Sequence, residues 1–112
     1  MGFTTSEIDG VLVVAVEDRR FDAMVAEQYK TDLSKLIDEG KAKLCLNLEK
    51  VQFIDSSGLN VLIFGARSTR EKKGALKLAC PQPQVRDMFE MTRINRMIPV
   101  FATQEEALRS FV

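Results

Sequence analysis

The segment Leu44-Cys45-Leu46-Asn47-Leu48 is apolar at nearly every position and follows a stretch of helical periodicity. A strand with one solvated face alternates apolar and polar residues, so a short run without alternation belongs in a sheet interior with both faces covered. Because it follows a helix, it is reached by a crossover and runs parallel to the strand before that helix. The chain is therefore expected to build an α/β domain around a mostly parallel sheet.

The flanking sequence supplies the other elements. Two extended runs, residues 3–8 and 11–16, are joined by Asp9-Gly10, a pair suited to the positive φ angles of a tight primed turn, so the chain opens with a β-hairpin. From Asp22 the period changes. Ala26, Tyr29, Leu33, Leu36 and Ile37 fall at helical spacing, with Asp22 as N-cap and Gly40 suited to the left-handed position after the last turn. A second helix starts near Ser57, is apolar through Phe64 and Ala66, turns polar from Arg67, and stops at Gly74. Residues 75–79 read as another strand. Pro83 opens a helix carrying Val85, Met88, Phe89 and Thr92; Ile98, Val100 and Phe101 form a last strand; Thr103 and Glu106 make a capping box for a final helix. The expectation is a mixed, mostly parallel sheet of about five strands with an N-terminal hairpin and four helices, residues 1–112 forming one domain.

Composition narrows the chemistry. Sixteen Lys and Arg balance sixteen Asp and Glu in 112 residues, so no charge excess favours nucleic acid or an anionic membrane. No run approaches the ~20 apolar residues of a membrane span, which argues against membrane insertion and for a cytoplasmic protein. There is no His, which removes Ser-His-Asp triads, His-ligated zinc and phosphohistidine relays together. Cys45 and Cys80 lie far apart in apolar runs and read as free core thiols of a reducing compartment. Met88, Met91 and Met97 read as core and core edge, and Arg86, Arg93 and Arg96 as a solvated face.

One loop, Phe53-Ile54-Asp55-Ser56-Ser57-Gly58-Leu59, lies at the carboxyl end of a strand, where ligands and reactive groups collect in open α/β sheets. Asp and Ser are good N-caps, and Gly58 permits close packing. A serine at a helix N-terminus has a second use. Its phosphate would bring about −1.5 to −2 charges to free N–H donors and the positive end of the helix dipole. The fold would tolerate that charge, while a partner docked on the loop would meet it.

Asp55-Ser56-Ser57-Gly58-Leu59, preceded by the 44–48 strand and Val51-Gln52-Phe53-Ile54 and followed by an apolar helix, resembles the signature of STAS domains, in particular bacterial anti-sigma factor antagonists. The resemblance covers nearly the whole chain, and Phe21-Asp22-Ala23 resembles the acidic opening of that family's first helix. It implies that Ser57 is the phosphoacceptor, with Ser56 left to a capping role. It also implies that the unphosphorylated protein binds an anti-sigma factor that is itself a serine kinase, freeing the sigma factor. Phosphorylation ends that binding, and a metal-dependent serine phosphatase resets it. Asp22, Asp55, Ser56, Gly58, Leu59 and Asn60 are the implied docking residues. Nucleotide and magnesium belong to the kinase, so the chain is a substrate without a cofactor rather than an enzyme. Two positions depart from the pattern: Arg19 stands where the family usually has Gly ahead of the first helix, and Asn60 where Gly often follows the Leu.

Three rival readings make different use of the same residues. A receiver-like domain would be phosphorylated on Asp55, with Glu17 and Asp18 holding Mg²⁺. A Ser57 nucleophile would need Asp55 or a lysine as its base. A STAS subunit of a transporter or stress-signalling assembly would dock through the same loop without phosphorylation.

Overall fold

The computed structural model describes residues 2–111. β1 (Phe3–Ile8) and β2 (Val11–Val16) form the expected hairpin, with Asp9 and Gly10 both at positive φ, 53° and 83°, and Ile8 opposite Val11. There follow β3 (Arg20–Phe21), α1 (Ala23–Asp38), β4 (Lys43–Asn47), β5 (Phe53–Ile54), α2 (Ser56–Glu71), β6 (Ala75–Ala79), α3 (Pro83–Thr92), a 3-10 turn (Ile94–Arg96), β7 (Val100–Phe101) and α4 (Gln104–Arg109).

The main sheet has the order β1-β2-β4-β6-β7, parallel throughout except for the hairpin. β4 sits at its centre, and its unalternating sequence follows from that place. Leu44 and Leu46 enter the core under α1, α2 and α3, while Cys45 packs on the other face with Val11, Val13, Ala79 and Ala107 of α4. Tyr29, Leu33 and Ile37, four residues apart, are the buried stripe of α1. Gly40 ends that helix region at φ 96°. Met88 is half-buried, whereas Met91 and Met97 are exposed, and so are Arg86, Arg93 and Arg96.

Several local expectations change. β3 and β5 form a separate two-stranded parallel ladder, Arg20 beside Phe53 and Phe21 beside Ile54, which no periodicity announced. Asp55 caps α2 and Ser56 is its first residue, so the capping role expected of Ser56 belongs to Asp55. Ile98 is buried but lies outside the short β7. Gly74 is not the left-handed residue after α2; Lys73 takes that conformation, at φ 63°. Gly74 is required for another reason, because a Cβ there would lie 2.0 Å from the Ala42 carbonyl oxygen, which accepts from the Ala75 amide at 2.8 Å.

Candidate functional site

The β3–β5 ladder positions the site. Because these two-residue strands run parallel and each leads directly into a helix, the N-termini of α1 and α2 emerge side by side. The Arg19 carbonyl accepts from the amides of Gln52 (2.7 Å) and Phe53 (3.1 Å), so the approach to α1 is pinned through the backbone. Arg19 has no positive φ, and the Gly usual there is not needed.

Asp55 joins the two helices. One carboxylate oxygen accepts from the Gly58 amide of its own helix at 3.1 Å, and the other from the Ala23 amide, the first of α1, at 3.3 Å. Asp22 caps the next α1 amide, that of Met24, at 3.1 Å, and its other oxygen accepts from Arg20 Nε at 3.1 Å. Both carboxylates lie at positive helix ends, where negative charge is favoured. The Arg20 guanidinium also lies over the Phe53 ring, 4.3 Å from its centroid, so Asp22, Arg20 and Phe53 form a continuous surface.

Gly58 is fixed by contact: a Cβ would lie 2.2 Å from the Phe21 carbonyl oxygen and 2.8 Å from Ile54 Cγ1. Leu59, 7% exposed, turns into the core. These two members of the motif are therefore buried, whereas Ser56 and Asn60 are exposed and Asp22, Asp55 and Ser57 are half-exposed. Ser57 opens onto a depression of 250 Å³ between α1 and α2, with Asn60 on its own helix and Ala23, Ala26, Glu27 and Lys30 across from it. Among the described residues its hydroxyl has no hydrogen-bond partner, neither a base nor an acceptor. The group is presented, not activated.

Glu17 and Asp18 serve other contacts. Glu17 accepts from Lys50 (2.7 Å) and Thr4 (3.1 Å), which hold its carboxyl below the usual range. Asp18 accepts from the Gly2 amide and the Tyr29 hydroxyl, both at 2.8 Å. Burial pushes its carboxyl up, but those two bonds outweigh burial and hold it below the ordinary value. Tyr29, whose hydroxyl also donates to the Gly2 carbonyl, is raised far above the usual tyrosine value by burial and then by Asp18. Among the described residues, no three acidic or Cys side chains group as a metal site. Cys45 and Cys80 are free, and burial pushes the Cys45 thiol up to about 11.

Sequence reasoning missed Lys30 and Glu27, which reach the depression from the neighbouring helix. It also missed an exposed apolar group beside the loop, Met24 (90%), and did not foresee that Phe53, named in the loop, would be 40% exposed. Met24 lies off the apolar stripe of α1, which was the available signal.

The family model for the STAS domain matches residues 3–107. BtrV of Bordetella bronchiseptica, named as an anti-sigma factor antagonist, is 31% identical over 111 residues, 99% of this chain and 95% of BtrV. The solved anti-sigma-factor antagonist (STAS) domain protein of Planctomyces limnophilus shares the fold with a TM-score of 0.89 at 21% identity, covering 99% of this chain and 98% of the other. The Bacillus cell fate determinant SpoIIAA, solved in a phosphorylated form, shares it with a TM-score of 0.73 at 24% identity, covering 97% of this chain and 98% of the other. With the family model matching residues 3–107 and a relative aligned almost end to end, this chain belongs to the STAS domain family.

Proposed function

We propose that this chain is an anti-sigma factor antagonist working as a phosphorylation-controlled partner switch, in which Ser57 is the phosphoacceptor. The single observation that carries the reading is the position of Ser57: second residue of α2, half-exposed, its hydroxyl without a hydrogen-bond partner among the described residues and open to the depression between two helix N-termini. The name of its relative BtrV and the phosphorylated form of its fold neighbour SpoIIAA support it.

In the unphosphorylated state the chain, acting as one cytoplasmic STAS unit, binds an anti-sigma factor serine kinase through Asp22, Asp55, Ser56, Ser57 and Asn60. Gly58 and Leu59 contribute by setting α2 against β3 and the core. The kinase supplies ATP and magnesium and transfers the γ-phosphoryl group to the Ser57 oxygen, the bond to the β–γ bridging oxygen breaking to release ADP and the hydroxyl proton passing to solvent or a kinase base. The added charge and volume then occupy the docking face, and binding ends. A metal-dependent serine phosphatase returns the hydroxyl.

Incubation with the partner kinase and ATP, followed by peptide mapping, is expected to place phosphate on Ser57. Phosphate confined to Ser56, Thr103 or Asp55 would overturn the assignment. Ser57→Asp is expected to stay folded, because a carboxylate at a helix N-terminus is typically favourable by ~0.3–1 kcal/mol, yet to bind the kinase more weakly. Ser57→Ala should bind and resist switching. Undiminished binding by Ser57→Asp would remove charge at this position as the switch.

A further inference from the structure

We infer that Lys30 is the seat of the Ser57 phosphate: once phosphorylated, the side chain turns into the depression between α1 and α2 and its phosphoryl oxygens accept from the Lys30 ammonium, with Glu27 opposing. This rests on Ser57 being the acceptor and adds how the phosphate is held.

Ser57 and Lys30 line the same depression from opposite helices. Ala26 and Ala23, the α1 residues one and two turns before Lys30, are small, which leaves the trough open beside Ser57. In the unphosphorylated protein the Lys30 ammonium lies 5.1 Å from the centroid of the Phe64 ring, two turns past Ser57 on α2, so the side chain already crosses from α1 to α2 and reaches the phosphate by swinging back toward the helix N-termini.

The charges around Ser57 divide into committed and uncommitted groups. On the α2 side, Asp55 is bound to the Gly58 and Ala23 amides. At the start of α1, Asp22 is bound to Met24 and Arg20, and Arg20 is further stacked on Phe53. Glu27 and Lys30, also on α1, line the trough, and neither forms an ion pair among the described residues. Lys30 is thus a cation lining the depression that no carboxylate neutralises among the described residues, its ammonium lying only against an aromatic face, with N–H donors to offer the oxygens a phosphoserine adds. Glu27, one turn away on the same helix, weakens the hold by like-charge repulsion. The phosphate then fills the trough from within, and a partner loses a concavity as well as meeting a charge.

The test uses protein carrying phosphoserine genetically encoded at position 57, followed by ³¹P NMR through the second phosphate ionisation. Lys30→Gln is expected to raise that pKa by about 0.5, a roughly threefold gain in proton affinity, as for a unit charge several Å away near a protein surface. Glu27→Gln should lower it, and Lys30→Arg should hold the wild-type value. The phosphate is compared with itself in each variant, so the contribution of the α2 N-terminus cancels. A Lys30→Gln titration within about 0.1 of wild type, or an equal rise in Lys30→Arg, would overturn the inference. If the kinase fails to phosphorylate Ser57, the proposed function falls while this titration still reads; a flat titration on a protein the kinase does phosphorylate sinks only the role of Lys30.

Discussion

Replacing Gly58 with Ala isolates the contact that sets the height of α2 over β3. Helix propensity alone favours the change by roughly 0.5–1 kcal/mol, because Gly carries the larger backbone entropy cost. The contact opposes it. A Cβ would lie 2.2 Å from the Phe21 carbonyl oxygen, a backbone atom that no rotamer change can move, so the first turn of α2 must lift. Overpacking of this kind costs about 1–3 kcal/mol, and loosening the bond from the Gly58 amide to Asp55 costs a further ~0.5–2. The balance is a destabilisation of about 2 kcal/mol, or a fall in Tm of roughly 8 °C for a domain of this size. Gly65→Ala is the internal control. It lies on the same helix and gains the same propensity, but its Cβ meets Leu76 Cδ1 at 2.6 Å, the end of a side chain that can shift. Urea unfolding of the two variants should therefore differ by more than about 1 kcal/mol, with Gly58→Ala the weaker. Equal stabilities, or a Gly58→Ala protein as stable as the parent, would show that the approach of α2 to Phe21 is not what holds glycine there.

Asp22→Asn keeps a good N-cap for Met24 and weakens only the ion pair with Arg20, whose own side chain is exposed, so unfolding is expected to change by less than about 1 kcal/mol. Kinase affinity, measured on the same protein, should fall, since an amide cannot match a carboxylate in charge-assisted bonds; unchanged affinity would return Asp22 to a capping role. The Tyr29–Asp18 pair predicts loss of stability at both pH extremes. Asp18 is held low, so its contribution is present above the unfolded carboxyl pKa near about 4 and is lost as pH falls through the folded value. Tyr29 is held high, so its contribution is intact below the unfolded tyrosine pKa of about 10 and is lost as pH rises past it. Tyr29→Phe should abolish the alkaline loss and shallow the acid one in unfolding curves taken across pH; an unaltered alkaline limb would refute the assignment.

Much of the fold was legible because local and global preferences agree. Asp9-Gly10 can make little but a primed turn, the Tyr29-Leu33-Ile37 stripe buries one helix face, and the unalternating 44–48 run has no place except a sheet interior. What escaped has tertiary causes. The β3–β5 ladder is two residues long on each side and pairs segments more than thirty residues apart, a juxtaposition that neither segment encodes alone. Asp55, Ser56 and Ser57 are all competent caps. Only the hydrogen bonds to Gly58 and Ala23 choose Asp55, and that choice frees Ser57. Ser57 and Asp22 were reached through the family motif. Lys30 was not, because its relation to Ser57 depends on the packing of two helices rather than on any spacing in the chain.

The strand order follows the chain order. After the β1–β2 hairpin, β4, β6 and β7 are laid down one beside the next, each added to the edge left by its predecessor. Such a sheet can grow outward from its N-terminal side as the chain leaves the ribosome, with no strand held open for a later insertion. By the time β6 can pair with β4, α1 and α2 have been made, whereas α3, which packs against β5 in the same core as Ile54 and Leu59, has not. α4 closes the opposite face of the sheet and comes last. The residues of the proposed docking surface are thus made before α3, β7 and α4, but the strand that leads into α2 gains its cover only when α3 packs against β5, so truncations that remove α3 should disturb that surface and truncations confined to α4 should spare it.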